Sequence, residues 1–122
     1  METVLNILIS IIILEHLYFM VLESFLWTKK RTRKIFGLKS LEFAEETKVL
    51  AANQGLYNAF LAVGLLLSFY KSDTFYIAMF LSFVLVAGII GTITTKNIRL
   101  FWVQGFPALL SLCLLILVQA IL

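Results

Sequence analysis

The sequence predicts an all-α integral membrane protein: a single four-span transmembrane domain over residues 1–122, a four-helix bundle with both termini on the extracytoplasmic side. Three observations carry this. Of the 122 residues, 61% are hydrophobic and 14% are charged, whereas a soluble domain is about half apolar and about a quarter charged. The charges separate four long apolar runs instead of being scattered among them. Nine of the ten Lys and Arg residues fall in two of the connections between those runs. A chain this short has no interior large enough to hide so much Leu, Ile, Val and Phe from water. A helix needs about 20 residues to cross the hydrocarbon. A barrel would show short alternating strands rather than continuous apolar runs.

The first run predicts a helix over about 3–27. No basic stretch precedes it and no small-residue cleavage pattern succeeds it, so it reads as a span and not as a removable signal peptide. Asn6 and Ser10 are mild interruptions. Glu15, His16 and Glu23 are not, because ionisable groups are costly in hydrocarbon and commonly mark a site there. Glu15 and His16 fall near mid-depth. Glu23 lies about one turn from the inner end, and Trp27 stands where an interfacial aromatic belongs. His16 and Glu23 share a face to within about 20°, and Glu15 is about 80° from Glu23 on the wheel. Helix packing, with Glu23 reaching back to the interface, is one account of these residues. A binding site is the other.

Residues 28–40 form a basic connection carrying Lys29, Lys30, Arg31, Arg33, Lys34 and Lys39. Lys48, Lys96 and Arg99 lie on the same side, and Lys71 alone on the other. The positive-inside rule makes 28–40 a cytoplasmic loop and puts both termini outside. Such clusters fix topology and touch anionic head groups. A net charge of +3 is too small to argue for nucleic acid. Gly37 separates the basic run from the next helix. Ser40, with Glu42 in the next turn, predicts the start of that helix, over 41–70, the hydroxyl capping free N–H groups and the acid facing the positive end of the dipole.

That second helix carries Asn53, Gln54, Tyr57 and Asn58, with i, i+4 pairs at 53/57 and 54/58. Ala51, Gly55 and Ala59 make a small-residue row that lets another helix approach. Interhelical amide bonds are worth about a kcal/mol or less each, and four hydrogen-bonding side chains within six residues exceed what packing needs. A third helix, 74–95, starts after an Asp73 cap and becomes small near its inner end, with Ala87 and Gly91 at small-xxx-small spacing. A fourth, 98–122, starts after an Asn97 cap. It contains Arg99, Gln104 and Pro107, and the proline removes a backbone bond and frees carbonyls. Ser111, Cys113 and Gln119 are isolated and read as structural. A single cysteine makes no internal disulfide and has no metal spacing.

Depth orders the polar residues. Glu23, Asn53, Gly91 and Gln104 lie roughly 6–8 Å below the inner surface at 1.5 Å per residue. Glu15, His16, Asn58 and Pro107 lie one level deeper. Asn53 and Gln104 are therefore expected beside Glu23, and Asn58 beside Glu15 and His16, with Lys48, Lys96 and Arg99 as a rim. The predicted site is a polar pocket in the cytoplasmic half for a small anionic or amphipathic ligand or a lipid. Its ligand-binding residues are Glu15, His16, Glu23, Asn53, Gln54, Tyr57, Asn58, Arg99 and Gln104. The partners expected are the bilayer, that ligand, and further copies of the chain in a homo-oligomer. No catalytic residue is assigned: His16 and Cys113 lie on different spans and form no nucleophile–base pair by spacing. No metal is expected, since Glu15 and His16 point about 100° apart. Proton-coupled transport is a further reading, with His16 and the carboxylates as relay.

EHLYFMVLESFLW, NQGLYNAFLA, VAGIIG and QGFPALL, in this order and at these spacings, resemble a family of small bacterial four-span membrane proteins known only as a domain of unknown function. The resemblance covers nearly the whole chain. It implies the four-helix fold and a multi-pass protein of the bacterial cytoplasmic membrane, and it implies no activity. The family-like positions are Glu15, His16, Glu23, Asn53, Gln54, Gly55, Tyr57, Asn58, Gln104, Gly105 and Pro107. A weaker resemblance is to the membrane-associated eicosanoid and glutathione metabolism (MAPEG) proteins, four-span proteins with a large first cytoplasmic loop. It implies a trimer and glutathione bound near the cytoplasmic half. Asn53 takes that family's asparagine position and Arg99 loosely that of a basic residue near the last helix. Val49 and Leu56 stand where its arginine and glutamate would be.

Overall fold

The computed structural model describes residues 1–121, which are helical apart from short connections. Four helices are long and apolar enough to cross a membrane: α1 (Glu2–Phe25), α3 (Leu41–Tyr70), α4 (Thr74–Thr95) and α5 (Ile98–Ile121). The expected end of the last helix, Leu122, lies outside the described residues. A short helix, α2 (Lys30–Phe36), lies between the first two. In the most apolar window of each long helix only 22–33% of residues are buried within the chain. The outward positions are large and apolar, with Leu14, Val49, Leu50, Phe75 and Ile116 all highly exposed. Monomeric soluble proteins rarely show contiguous apolar surface on this scale. A hydrocarbon surrounding accepts it, because the helices satisfy their own backbone groups.

The helix ends are set by local chemistry. Ser40 Oγ accepts the Phe43 N–H at 3.0 Å, and an Asp73 carboxylate oxygen accepts the Tyr76 N–H at 3.2 Å. Asn97 Oδ1 accepts the Arg99 N–H at 3.1 Å. Each side chain thereby satisfies a donor that the first helical turn leaves free. Residues 30–36, expected as loop, are the helix α2 instead. Gly37 closes it with φ +65°, a left-handed conformation that costs a residue without Cβ little. The Leu38 N–H bonds the Arg33 carbonyl at 2.8 Å and the Gly37 N–H bonds that of Lys34, so the last turn is closed on itself. α1 stops at Phe25, two residues short of Trp27.

Contacts gather into two units. Residues 15–60 form one. Within it α1 and α3 approach closely at Gly55, where an added Cβ would meet the Ser24 side chain and stand 3.1 Å from the Met20 carbonyl oxygen. The buried face of α3 here is made of small residues: Ala44, Ala51 and Gly55.

Residues 1–14 and those from 61 onward form the other unit. Its core includes Leu65, Leu81, Val84, Ala108 and Leu115. α4 and α5 meet backbone to backbone at Gly88 and Gly105: a Cβ on Gly88 would lie 2.7 Å from the Gly105 nitrogen and 2.8 Å from its Cα. The small pair expected on α4, Ala87 and Gly91, is only half right. Ala87 is exposed, while Gly88 is buried, because one residue turns a helix by about 100°.

α5 is not a uniform helix. Phe101–Gly105 form a π turn in which the Phe106 N–H bonds the Phe101 carbonyl. Pro107 comes next, and its ring excludes the carbonyl four residues back in a regular helix. The wider i→i+5 turn is a known accommodation within an α-helix. It leaves both Gln104 and Gly105 buried. Ser111, fully buried, donates from its Oγ to the Pro107 carbonyl at 2.8 Å.

Candidate functional site

The buried stripe of α1 runs Leu5, Ile9, Ile12, His16, a 4–3–4 spacing that keeps one face inward. His16 is fully buried, its ring edge-to-face with Phe19 at 6.0 Å between centroids. Glu23, seven residues further, is half-buried. Its Oε2 accepts a hydrogen bond from Asn58 Nδ2 at 2.6 Å. Glu23 and Asn58, two of the nine residues predicted for the site, are thereby joined side chain to side chain across helices. Each partner offsets the cost of desolvating the other.

Asn53 and Gln104 are the partners expected for Glu23 at this level, with Asn58 assigned to the deeper pair. The structure corrects the two asparagine assignments. Asn53 and Asn58 are five residues apart, which places them about 140° apart around α3. Only one can face α1. Gly55 decides which, because its contact with Met20 and Ser24 sets the face of α3 that α1 meets, and Asn58 lies within about 60° of Gly55. Asn53, Gln54 and Tyr57 are exposed, and the Tyr57 ring lies 6.4 Å from that of Phe60. Counting depth from the last charged residue carries no information about rotation.

Glu15 is half-buried at the edge of the inward stripe. Its Oε1 is buried and has no hydrogen-bond partner among the described residues. A buried polar atom without a partner costs free energy of about 1–3 kcal/mol. Arg99 and Gln104 belong to the other unit. Arg99 is exposed at the start of α5, and Gln104 is buried in the π turn. Cys113 is exposed on the same helix.

Several ordering residues were not singled out from the sequence. Thr32 of α2 is 1% exposed. Phe36 stands 5.0 Å from the Trp27 ring and 6.2 Å from that of Phe19. The Trp27 Nε1–H donates to Thr47 Oγ1 at 3.0 Å, and Thr47 in turn donates to the Phe43 carbonyl. The available signal was Thr32 and Phe36 at i, i+4 among cations, a spacing that puts both on one face.

Two shallow surface depressions, of about 370 and 360 Å³, lie at the amino-terminal half of α1. Met1, Glu2, Thr3, Val118 and Ile121 line the first. Thr3, Asn6, Ile7, Ser10, Ile11 and Leu14 line the second. Neither includes any of the nine predicted residues. On the later half of α1 and on α3 the polar groups lie on helix faces, with the Glu23–Asn58 hydrogen bond between the two helices. What they offer chemically is carboxyl oxygens and amides, suited to a partner that brings donors.

No solved structure matches the chain. An uncharacterized protein, YpaA, of Lactococcus lactis subsp. lactis (strain IL1403) is 29% identical over 114 residues, covering 90% of this chain and 95% of that protein. Residues 10–116, which include every predicted site residue, match the family described as "Protein of unknown function (DUF1304)", and the chain belongs to that family.

Proposed function

We propose that this is a multi-pass protein of the bacterial cytoplasmic membrane that binds a small amphipathic molecule through Glu15, Glu23 and Asn58. The observation that supports it is the buried Glu15 Oε1 with no protein partner among the described residues, on the same helix as a Glu23 that already has one. A ligand with a hydroxyl or amino head and an apolar body supplies the missing donor and covers the apolar flank. Both termini lie outside and the basic connection 28–40 lies in the cytoplasm, on the bias of Lys and Arg. A single introduced cysteine at Lys34 or Lys71, with Cys113 replaced by Ala, tests that orientation by labelling in intact cells.

The ligand is tested by native mass spectrometry of the protein in nanodiscs. The wild type retains a non-lipid or specific lipid mass, and Glu15→Leu loses it while remaining folded. A wild type with no retained mass, or a variant that retains it equally, overturns the reading. Exposed Asn53, Gln54 and Tyr57 on α3 favour a homo-oligomer in which a second copy meets these polar groups, with the trimer as the form to look for.

Two other readings stand beside it. Glutathione-dependent chemistry would need cationic and acidic groups on α3 where exposed, apolar Val49 and Leu56 stand, so thioether formation with model electrophiles is not expected. Proton relay draws on Glu15, His16 and Glu23 succeeding one another along α1. Proton flux in liposomes that is abolished by His16→Ala would place this reading ahead of ligand binding.

A further inference from the structure

We propose that α2 is a binding site for acidic phospholipid, with Lys30, Arg31 and Lys34 forming its phosphate-facing surface. The aromatic contacts place the helix. Phe36, its last residue, reaches both Trp27 and Phe19. Phe19 lies six residues before the end of α1, about 9 Å along the axis. A helix directed away from the end of α1 into water could not bring its last residue there. α2 is therefore folded back beside that end, at the depth where tryptophan concentrates in membrane proteins. Buried Thr32 seats the inner face, and Arg33 Nε donates to the Thr28 carbonyl at 3.2 Å.

The wheel separates the two faces. Thr32, Phe36 and Arg33 occupy about 100° on the inward side, and Lys30, Lys34 and Arg31 about 100° on the outward side. All three outward cations are exposed. Among the described residues the salt bridge formed is Lys48–Glu45, on α3, so these three have no carboxylate partner. Lys30 and Lys34 are spaced i, i+4, where like charges repel. A phosphate between them relieves that repulsion, and exposed Ile35 beside them offers apolar contact to the upper acyl chain. An interfacial helix with a basic outward face suits an acidic lipid surface better than nucleic acid, which would have to approach through the head groups.

The full chain is reconstituted in nanodiscs of phosphatidylcholine with graded phosphatidylglycerol, and the lipids retained on release are counted by native mass spectrometry. The wild type retains phosphatidylglycerol in preference to phosphatidylcholine. Each cation removed lowers that preference about fivefold, and the triple variant K30Q/R31Q/K34Q abolishes it. Both leaflets carry the acidic lipid, so the result does not depend on which side α2 faces. The Glu15→Gln/Glu23→Gln variant keeps the preference, which separates this site from the intramembrane one. Should the triple variant unfold, K30Q and K34Q singly carry the test. A wild type without preference, substitutions that leave the preference intact, or an oligonucleotide that displaces the lipid at physiological salt overturns the proposal.

Discussion

Gly88→Ala tests whether α4 and α5 are held by backbone contact. The added Cβ would stand 2.7 Å from the Gly105 nitrogen and 2.8 Å from its Cα. Neither atom belongs to a side chain that can rotate aside. Ordinary contact begins near about 3.5 Å, so the two backbones must part by about 0.7 Å or more. A gap of that size forfeits about a quarter to a half of each dispersion contact along the seam. Overpacking costs about 1–3 kcal/mol, and a Cβ driven against backbone atoms lies in the upper part of that range, about 2–3 kcal/mol. Alanine returns about 0.8–1 kcal/mol of helix propensity. The net loss is then about 1–2 kcal/mol, and at about 4 °C per kcal/mol the midpoint falls by about 4–8 °C. Heating in detergent, then size-exclusion detected by tryptophan fluorescence, measures it. Ala87→Leu, on the exposed side of the same helix, leaves the midpoint in place. A Gly88→Ala protein as stable as the wild type, or an equal loss in Ala87→Leu, would refute close approach at Gly88 as the tie between these helices.

The same geometry gives three further outcomes. A double-mutant cycle on Glu23→Ala and Asn58→Ala gives a coupling of about 0.5–1.7 kcal/mol by thermal unfolding, whereas Glu23→Ala with Asn53→Ala gives none; reversal of the two would place α3 in a different rotation. Gly37→Ala costs about 1–2 kcal/mol through its positive φ alone, since the space around it is open. Gly37→Asn, measured by the same melt, costs less. Gly55→Leu, whose side chain would be driven into Ser24 and the Met20 carbonyl, separates α1 from α3 and gives the largest loss of the set, read as a shift of the protein out of the monodisperse peak.

The spans were legible because the signal for them is compositional. The 22 residues from Thr74 to Thr95 carry no charge, and helix is the form that satisfies such a run's backbone without a sheet. The caps at Ser40, Asp73 and Asn97 were legible too, because capping depends on a side chain and a donor two or three residues away. α2 was not. Seven residues, set in a run with five cations over 29–34, show no readable apolar period, and the helix is held by Thr32 and Phe36 meeting residues distant in sequence. The π turn was foreshadowed only by Pro107, which announces a lost hydrogen bond but not how the chain absorbs it.

The same division holds for the site. Glu15, His16 and Glu23 stood out from the sequence alone, because an ionisable residue in an apolar run is costly wherever the helix turns. Which residue meets Glu23 could not be read there. Asn53 and Asn58 are the same amino acid, five positions apart in one uncharged run, and differ chiefly in azimuth. Azimuth comes from contact between helices, and here from the absence of a side chain at Gly55, which lets α1 approach one face of α3. By itself, then, the sequence determined that four helices can span a membrane, where they begin, and which residues are expensive to place there. The tertiary structure decided rotation: that Asn58 and not Asn53 meets Glu23, that Gly88 and not Ala87 meets α5, and that the basic run folds back on Trp27. Hydropathy and capping act over a few neighbouring residues, whereas rotation is set by close packing against a partner far along the chain.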